Sequence, residues 1–316
     1  MKKLLLLLLA LLLTGCSALN DPLDGAVTPL AEGIAAPQPD APDYLFSQEV
    51  ATLWFRYLDE PLLAPETRAL SFSPDQPMEV SLLSALLAGP DVQSPELTGL
   101  FPAGTRVLST VRQGRTLFVT LSRQIMDAYP DEPASWQSDP YWAAEMPLRR
   151  RLCMQSLVAT ITENCDVDTV QVLVEQQDEI TDSLRLRQRY YLDTDGNELA
   201  DSLSRDDRLL LSPGTAMTTI LTLWQQRDWP RLIRYMPAAA DEEALLARLD
   251  ALPHLLDFSL SGPTISGQTA TFTLSATLRG ERGVSTLTRR VLRLNQERGL
   301  WRADLEQLTG WLEVTP

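Results

Sequence analysis

Thr169-Val170-Gln171-Val172-Leu173-Val174-Glu175 alternates as a half-buried strand does, with Val170, Val172 and Val174 on one face. It closes a segment from about Pro147 to Glu163 that places Leu148, Leu152, Leu157 and Ile161 on one helical face. Upstream, Arg106 to Arg112 and Arg115 to Ser122 read as two strands around Gln113-Gly114, a short hairpin. Before them, Pro77 opens a helix carrying Val80, Leu83, Leu86 and Leu87, and Gly89-Pro90 stops it. Val50 to Tyr57 and Thr67 to Phe72 supply two earlier strands. The order strand-strand-helix-strand-strand-helix-strand predicts an α+β sandwich with helices on one sheet face.

The last hundred residues predict a second α+β unit. Gly214 to Arg227 carries Ile220, Leu221, Leu223 and Trp224 as a helix, Trp229-Pro230 starts a short one, and Asp241 caps another ending near Leu252. After Pro253 the period becomes two. Leu256 to Leu260, Ala270 to Leu278, Ser285 to Leu294 and Leu300 to Leu305 then read as an antiparallel meander with glycines at its turns. Helices followed by such a meander resemble, in topology, the nuclear-transport-factor-like or cystatin-like cone. The expected division is a signal peptide at 1–16, a tether at 17–43, domains at 44–192 and 214–316, and a linker or closing hairpin at 193–213.

The amino end fixes the expected compartment. Lys2-Lys3 precede a leucine run from Leu4 to Leu13, too short for a stable span but suited to a signal-peptide core. Leu13-Thr14-Gly15-Cys16 resembles a lipobox, in which Cys16 is lipidated and becomes the mature amino terminus. A multi-acyl anchor there, palmitate included, would hold the chain at a membrane. Ser17 to Asp43, rich in Ala, Pro, Asp and Gly, reads as a flexible tether. The chain has 316 residues and a formal net charge of −15, and loss of Lys2 and Lys3 would take this to −17. No lysine follows Lys3, and so acidic a body should be repelled by nucleic acid. Cys153, inside the predicted helix, and Cys165, just past it, are expected as free thiols rather than a disulfide.

Several motifs together resemble a known family. Leu86-Leu87-Ala88-Gly89-Pro90, Phe101-Pro102-Ala103-Gly104-Thr105, Phe118-Val119-Thr120-Leu121-Ser122, Leu157 to Asn164 and Val167 to Glu175 are similar, in order and spacing, to the GerMN domain. That domain is named from sporulation and spore-germination proteins and occurs in bacterial surface lipoproteins. The resemblance spans about Ser47 to Gln177. Thr120 stands where the pattern has an acidic residue, and the aromatic connection Asp127 to Met146 is longer than typical. The resemblance implies non-enzymatic assembly or binding work in the cell envelope, in sporulation or germination, on the outer face of the plasma membrane.

Candidate binding residues are basic. Arg185, Arg187 and Arg189 line one side of the alternating segment Leu184 to Leu192, about 7 Å apart, where guanidinium could meet carboxylate or phosphate. Their alternative partners are the protein's own acids. Arg149-Arg150-Arg151 form a second cluster, in what reads as a helix's first turn, against the helix dipole. Asp193 to Glu198 has an EF-hand flavour, but Tyr191 and Ser202 occupy the positions that would need acids, so a hairpin turn is expected. The single histidine, His254, is expected to be structural, and no nucleophile elbow, metal motif or phosphate-cradling loop is present.

No catalytic residue, metal or cofactor is therefore expected. The expected partners are the membrane, through lipid on Cys16, and an envelope protein or the cell wall. The alternative is a ligand-binding or glycan-active surface protein. It would use the aromatic connection, or a C-terminal pocket lined by Trp224, Trp229 and Trp301.

Overall fold

A computed structural model describes residues 47–175, 183–188, 198–281, 283–310 and 312. The signal, lipobox and tether expectations at 1–43, Arg189, and the turn at 193–197 lie outside these residues. Residues 44–316 belong to one compact unit.

The strands of the amino-terminal half divide between two sheets. In the first, β1 (Ser47–Tyr57) pairs antiparallel with β2 (Leu63–Phe72), and its end pairs with β3 (Leu97–Thr98). In the second, β4 (Val107–Gln113) and β5 (Thr116–Leu121) form the predicted hairpin, with Gly114 at φ 61°. There β6 (Thr169–Glu175) runs parallel to β5, while β7 (Ser183–Arg185) and β8 (Leu203–Ser204) pair antiparallel with β6. The helix α1 (Met78–Leu87) buries Leu82, Leu83 and Leu86.

The second helix, α2, runs from Pro140 to Asn164 and so begins seven residues before the predicted start. Asp139 caps it, accepting from the backbone N–H of Tyr141 at 2.8 Å and of Trp142 at 3.4 Å, and Pro140 supplies a preset φ at the first position. This corrects the expectation that Arg149 to Arg151 oppose the helix dipole, because they lie mid-helix, beyond its first turn. Pro147, expected as an opener, is instead interior.

A polar stripe at helical spacing joins α2 to β1. Ser156 Oγ donates to the Trp54 carbonyl at 2.6 Å, and Thr160 Oγ1 accepts from the Trp54 N–H at 3.1 Å. One turn on, Asn164 accepts from the Thr52 N–H at 3.0 Å and donates to its carbonyl at 2.8 Å. The helix side chains thus satisfy backbone groups on the β1 edge that no described strand covers, which a buried edge requires.

In the carboxy-terminal half, α3 (Pro213–Gln226) starts at a capping box between Ser212 and Thr215 and ends at Arg227, with φ 58°. After α4 (Trp229–Leu232) comes α5 (Glu242–Asp250), capped by Asp241 as expected. Then β9 (His254–Leu260), β10 (Thr264–Ser266), β11 (Thr269–Gly280), β12 (Gly283–Glu297) and β13 (Leu300–Arg302) form an antiparallel sheet, followed by α6 (Leu305–Thr309). Phe272, Leu274, Ala276 and Leu278 of β11 are buried on the inner face.

The halves are tied at the turn after β1. Glu60, 1% exposed, accepts from Arg231 Nε at 3.0 Å and Nη2 at 2.6 Å, and from Arg234 at 3.3 Å. Tyr57 and Tyr235 meet edge-to-face at 5.4 Å, and the Tyr57 hydroxyl donates to the Arg234 carbonyl. Arg302 reaches Glu96 at 2.6 Å and the Met236 carbonyl at 2.8 Å.

Candidate functional site

A cleft of about 360 Å³ opens where the start of α2 meets the end of β1 and the segments around Leu100 and Tyr129. Its polar lining comes from Arg56, Asp59, Tyr129, Asp131, Glu145 and Arg149. Glu145 lies one helical turn before Arg149, so both project to the same side of α2. Arg56, only 4% exposed, bonds both carboxylate oxygens of Glu145 and donates to the carbonyls of Asp59 at 2.7 Å and Glu60 at 3.0 Å. A bidentate pair with extra acceptors is the arrangement that makes a buried guanidinium tolerable.

Arg149 is held as firmly. Its Nη1 and Nη2 meet the two oxygens of Asp131 at 2.7 and 2.9 Å, and its guanidinium lies 4.9 Å from the Tyr129 ring and 5.8 Å from that of Trp142. The Tyr129 hydroxyl donates to the Leu100 carbonyl at 2.9 Å. Tyr141 packs edge-to-face on Trp142 yet remains 62% exposed at the rim. The Arg149 hydrogen bonds hold the Asp131 carboxyl below its usual range. The cleft therefore offers fixed charges, spare carboxylate lone pairs and an open aromatic ring.

The sequence-derived candidates fall out as follows. Arg149 enters the cleft, while Arg150 approaches Glu132 at 3.9 Å and lies over Trp136 at 5.6 Å. Arg151 pairs with Asp206 at 3.0 Å. Arg185 and Arg187 are exposed on either side of buried Leu186, so the alternation holds over the described part of that segment. The Trp224, Trp229 and Trp301 pocket is corrected, because all three side chains are buried in a filled core. Trp224 donates to the Pro253 carbonyl at 3.0 Å and Trp229 to Asp250 at 3.2 Å.

His254 is exposed at the start of β9. Cys153 is buried and Cys165 half-buried, both as free thiols. Among the described residues no group of three or more His, Cys, Asp or Glu could hold a metal. None of their helices is long and apolar enough to cross a membrane. Sequence reasoning missed Arg56 and Glu145. Arg56 interrupts the apolar run Leu53 to Tyr57, and that interruption was the available signal.

Residues 57–179 match the family described as Germane, sporulation and spore germination. This is the region where the motifs resemble the GerMN domain. Among solved structures, the tandem GerMN domains of the sporulation protein GerM from Bacillus subtilis are 14% identical, with a TM-score of 0.34. That match covers 52% of this chain and 46% of the other, so the chain spans about half of the tandem protein. The first GerMN domain of the same protein matches at 17% identity and TM-score 0.31, covering 50% of this chain and 98% of the other. A protein described as a lipoprotein from Clostridium perfringens matches at 18% and 0.28, covering 52% and 93%. No curated protein matches the sequence.

Proposed function

Starting from a GerMN-type domain at residues 57–179, we propose that the chain is a lipid-anchored, extracytoplasmic and non-enzymatic binding module of the bacterial envelope, acting in sporulation or germination. The lipobox at Leu13 to Cys16 supports the anchor, and the tether at 17–43 would let the folded body reach an envelope partner or the wall. Lipid on Cys16 would anchor it to a membrane, and the similarity to that family favours the outer face of the plasma membrane.

The observation that carries the non-enzymatic reading is the state of the cleft. Both of its central carboxylates, Asp131 and Glu145, are neutralised by arginine. A glycan-cleaving pair needs one carboxyl kept protonated, and Asp131 is held the opposite way. Binding through exposed Tyr141 and the surrounding polar groups asks for no such proton.

The test is co-sedimentation of a Tyr44–Pro316 fragment with purified cell-wall sacculi across a salt series. Tyr141→Ala should weaken binding about tenfold if the cleft is the contact, as removal of an exposed aromatic anchor does. An Arg185→Ala/Arg187→Ala/Arg189→Ala variant tests the arginine row in the same assay. Loss there with Tyr141→Ala unaffected would move the contact to the row. No binding at low salt would reject the wall as partner.

A further inference from the structure

The final hairpin gathers cations in an otherwise acidic chain. From Arg279 to Arg302 the sequence holds seven arginines against Glu281 and Glu297, while the whole chain carries −15. On β11 the buried inner residues leave Thr271, Thr273, Ser275, Thr277 and Arg279 on the outer face. Across the hairpin Arg293 lies opposite Thr271, Val291 opposite Thr273 and Val284 opposite Arg279. Arg289 sits at the bulge with φ 52°, and Arg279, Arg289 and Arg293 are all exposed.

Elsewhere arginines are mostly spoken for, as Arg56, Arg115, Arg149, Arg205 and Arg231 are. Among the described residues, no carboxylate lies within 4.0 Å of Arg279, Arg289 or Arg293. Asp257, opposite Thr277, Glu281, in the hairpin turn, and Glu297, four residues after Arg293, are the nearest acids in register and sequence, and none reaches them; Glu297 lies 4.0 Å from Arg302 instead. Arg106, Arg123 and Arg248 are also exposed, but on other parts of the molecule.

Spacing selects the ligand. At a rise of about 3.3 Å per residue, Arg289 and Arg293 are roughly 13 Å apart, and Arg279, beside Val284, lies roughly 16 Å from Arg289. With side chains standing out from the strand, such backbone spacings suit an extended chain with repeated charges better than one small anion. The outer face carries hydroxyls and, opposite Arg279, the exposed His254, but no Phe, Tyr or Trp among its described residues, which disfavours a run of stacked nucleobases. Val284 and Val291 are too little apolar surface to enter a bilayer. We propose that this face docks a phosphodiester-linked polyol polymer along β12, with the three arginines each pairing a separate phosphate and the Thr and Ser hydroxyls bonding the polyol. Guanidinium suits phosphate oxygens in bidentate fashion, and the acidic remainder of the chain would hold the polymer to this strip.

The test titrates the full-length chain, in mild detergent, with a glycerol-phosphate polymer, dextran and polygalacturonate. Binding is expected for the phosphate polymer alone, weakening as salt rises from about 50 to 200 mM. An Arg279→Gln/Arg289→Asn/Arg293→Gln variant should bind about tenfold more weakly, asparagine being tolerated at the positive φ of position 289. The charge-matched Arg106→Gln/Arg123→Gln/Arg248→Gln control should lose less than about twofold. Should the triple variant fold poorly, Arg293→Gln alone should lose about two- to threefold. Tyr141→Ala should leave this binding unchanged, which separates it from binding at the cleft. No binding at low salt, equal loss in the control, or equal affinity for polygalacturonate would overturn the proposal.

Discussion

Replacing Glu145 by glutamine would strip the charge from the pair that shapes the cleft while preserving its volume. Arg56 would then be a guanidinium with a side chain 5% exposed and no paired carboxylate, left with the Asp59 and Glu60 carbonyls and one neutral amide oxygen. Breaking a buried pair from one side costs about 3–5 kcal/mol. The two surviving carbonyl acceptors favour the lower end, so about 3 kcal/mol is expected. For a body of this size each kcal/mol lowers Tm by about 2–4 °C, giving a fall of roughly 6–12 °C. Calorimetry on the 44–316 fragment reads this directly. An Arg56→Met/Glu145→Met double variant should recover most of the loss, because it removes both charges and their desolvation cost together. A Glu145→Gln loss below about 0.5 kcal/mol, or a double variant worse than either single one, would refute the reasoning.

Three further outcomes follow from other parts of the fold. Gly299 has φ 85°, and a Cβ there would meet the Pro65 carbonyl at 3.2 Å, so Gly299→Ala should cost about 1–2 kcal/mol in a thermal melt. Burial pushes the Tyr57 hydroxyl up to about 12 and Tyr235 further still, so ultraviolet titration should show both unionised when exposed tyrosines have titrated. Because the folded Tyr57 value is raised, its contribution to stability is complete below about pH 10 and is lost as pH climbs towards 12. Burial likewise pushes Cys165 up to about 11 and Cys153 beyond it, so a thiol reagent at neutral pH should label neither rapidly until the chain is denatured.

Periodicity carried most of the fold because most elements declare their buried side locally. Val170, Val172 and Val174 of β6 and the residues following the Asp241 cap of α5 are examples. The start of α2 was hidden by composition. Tyr141 and Trp142 read as a connection and Pro147 as the helix opener, whereas the Asp139 cap and Pro140 make all three helical. The separation of the strands into two sheets was hidden for a different reason. It depends on Ser156, Thr160 and Asn164 reaching β1 from a helix about a hundred residues later, and such polar residues look like a solvent face in sequence. The cleft was half legible. Its aromatic residues and Arg149 stood out, but Arg56 and Glu145 are 89 residues apart, and sequence gives no distance between them.

The placement of the chain is tested most directly by the intact mass of the protein isolated from its own membranes. Loss of residues 1–15 with acyl chains added at Cys16 is expected, together with partitioning into detergent. A full-length chain beginning at unmodified Met1 and recovered without the membrane would contradict the lipid-anchored, extracytoplasmic assignment.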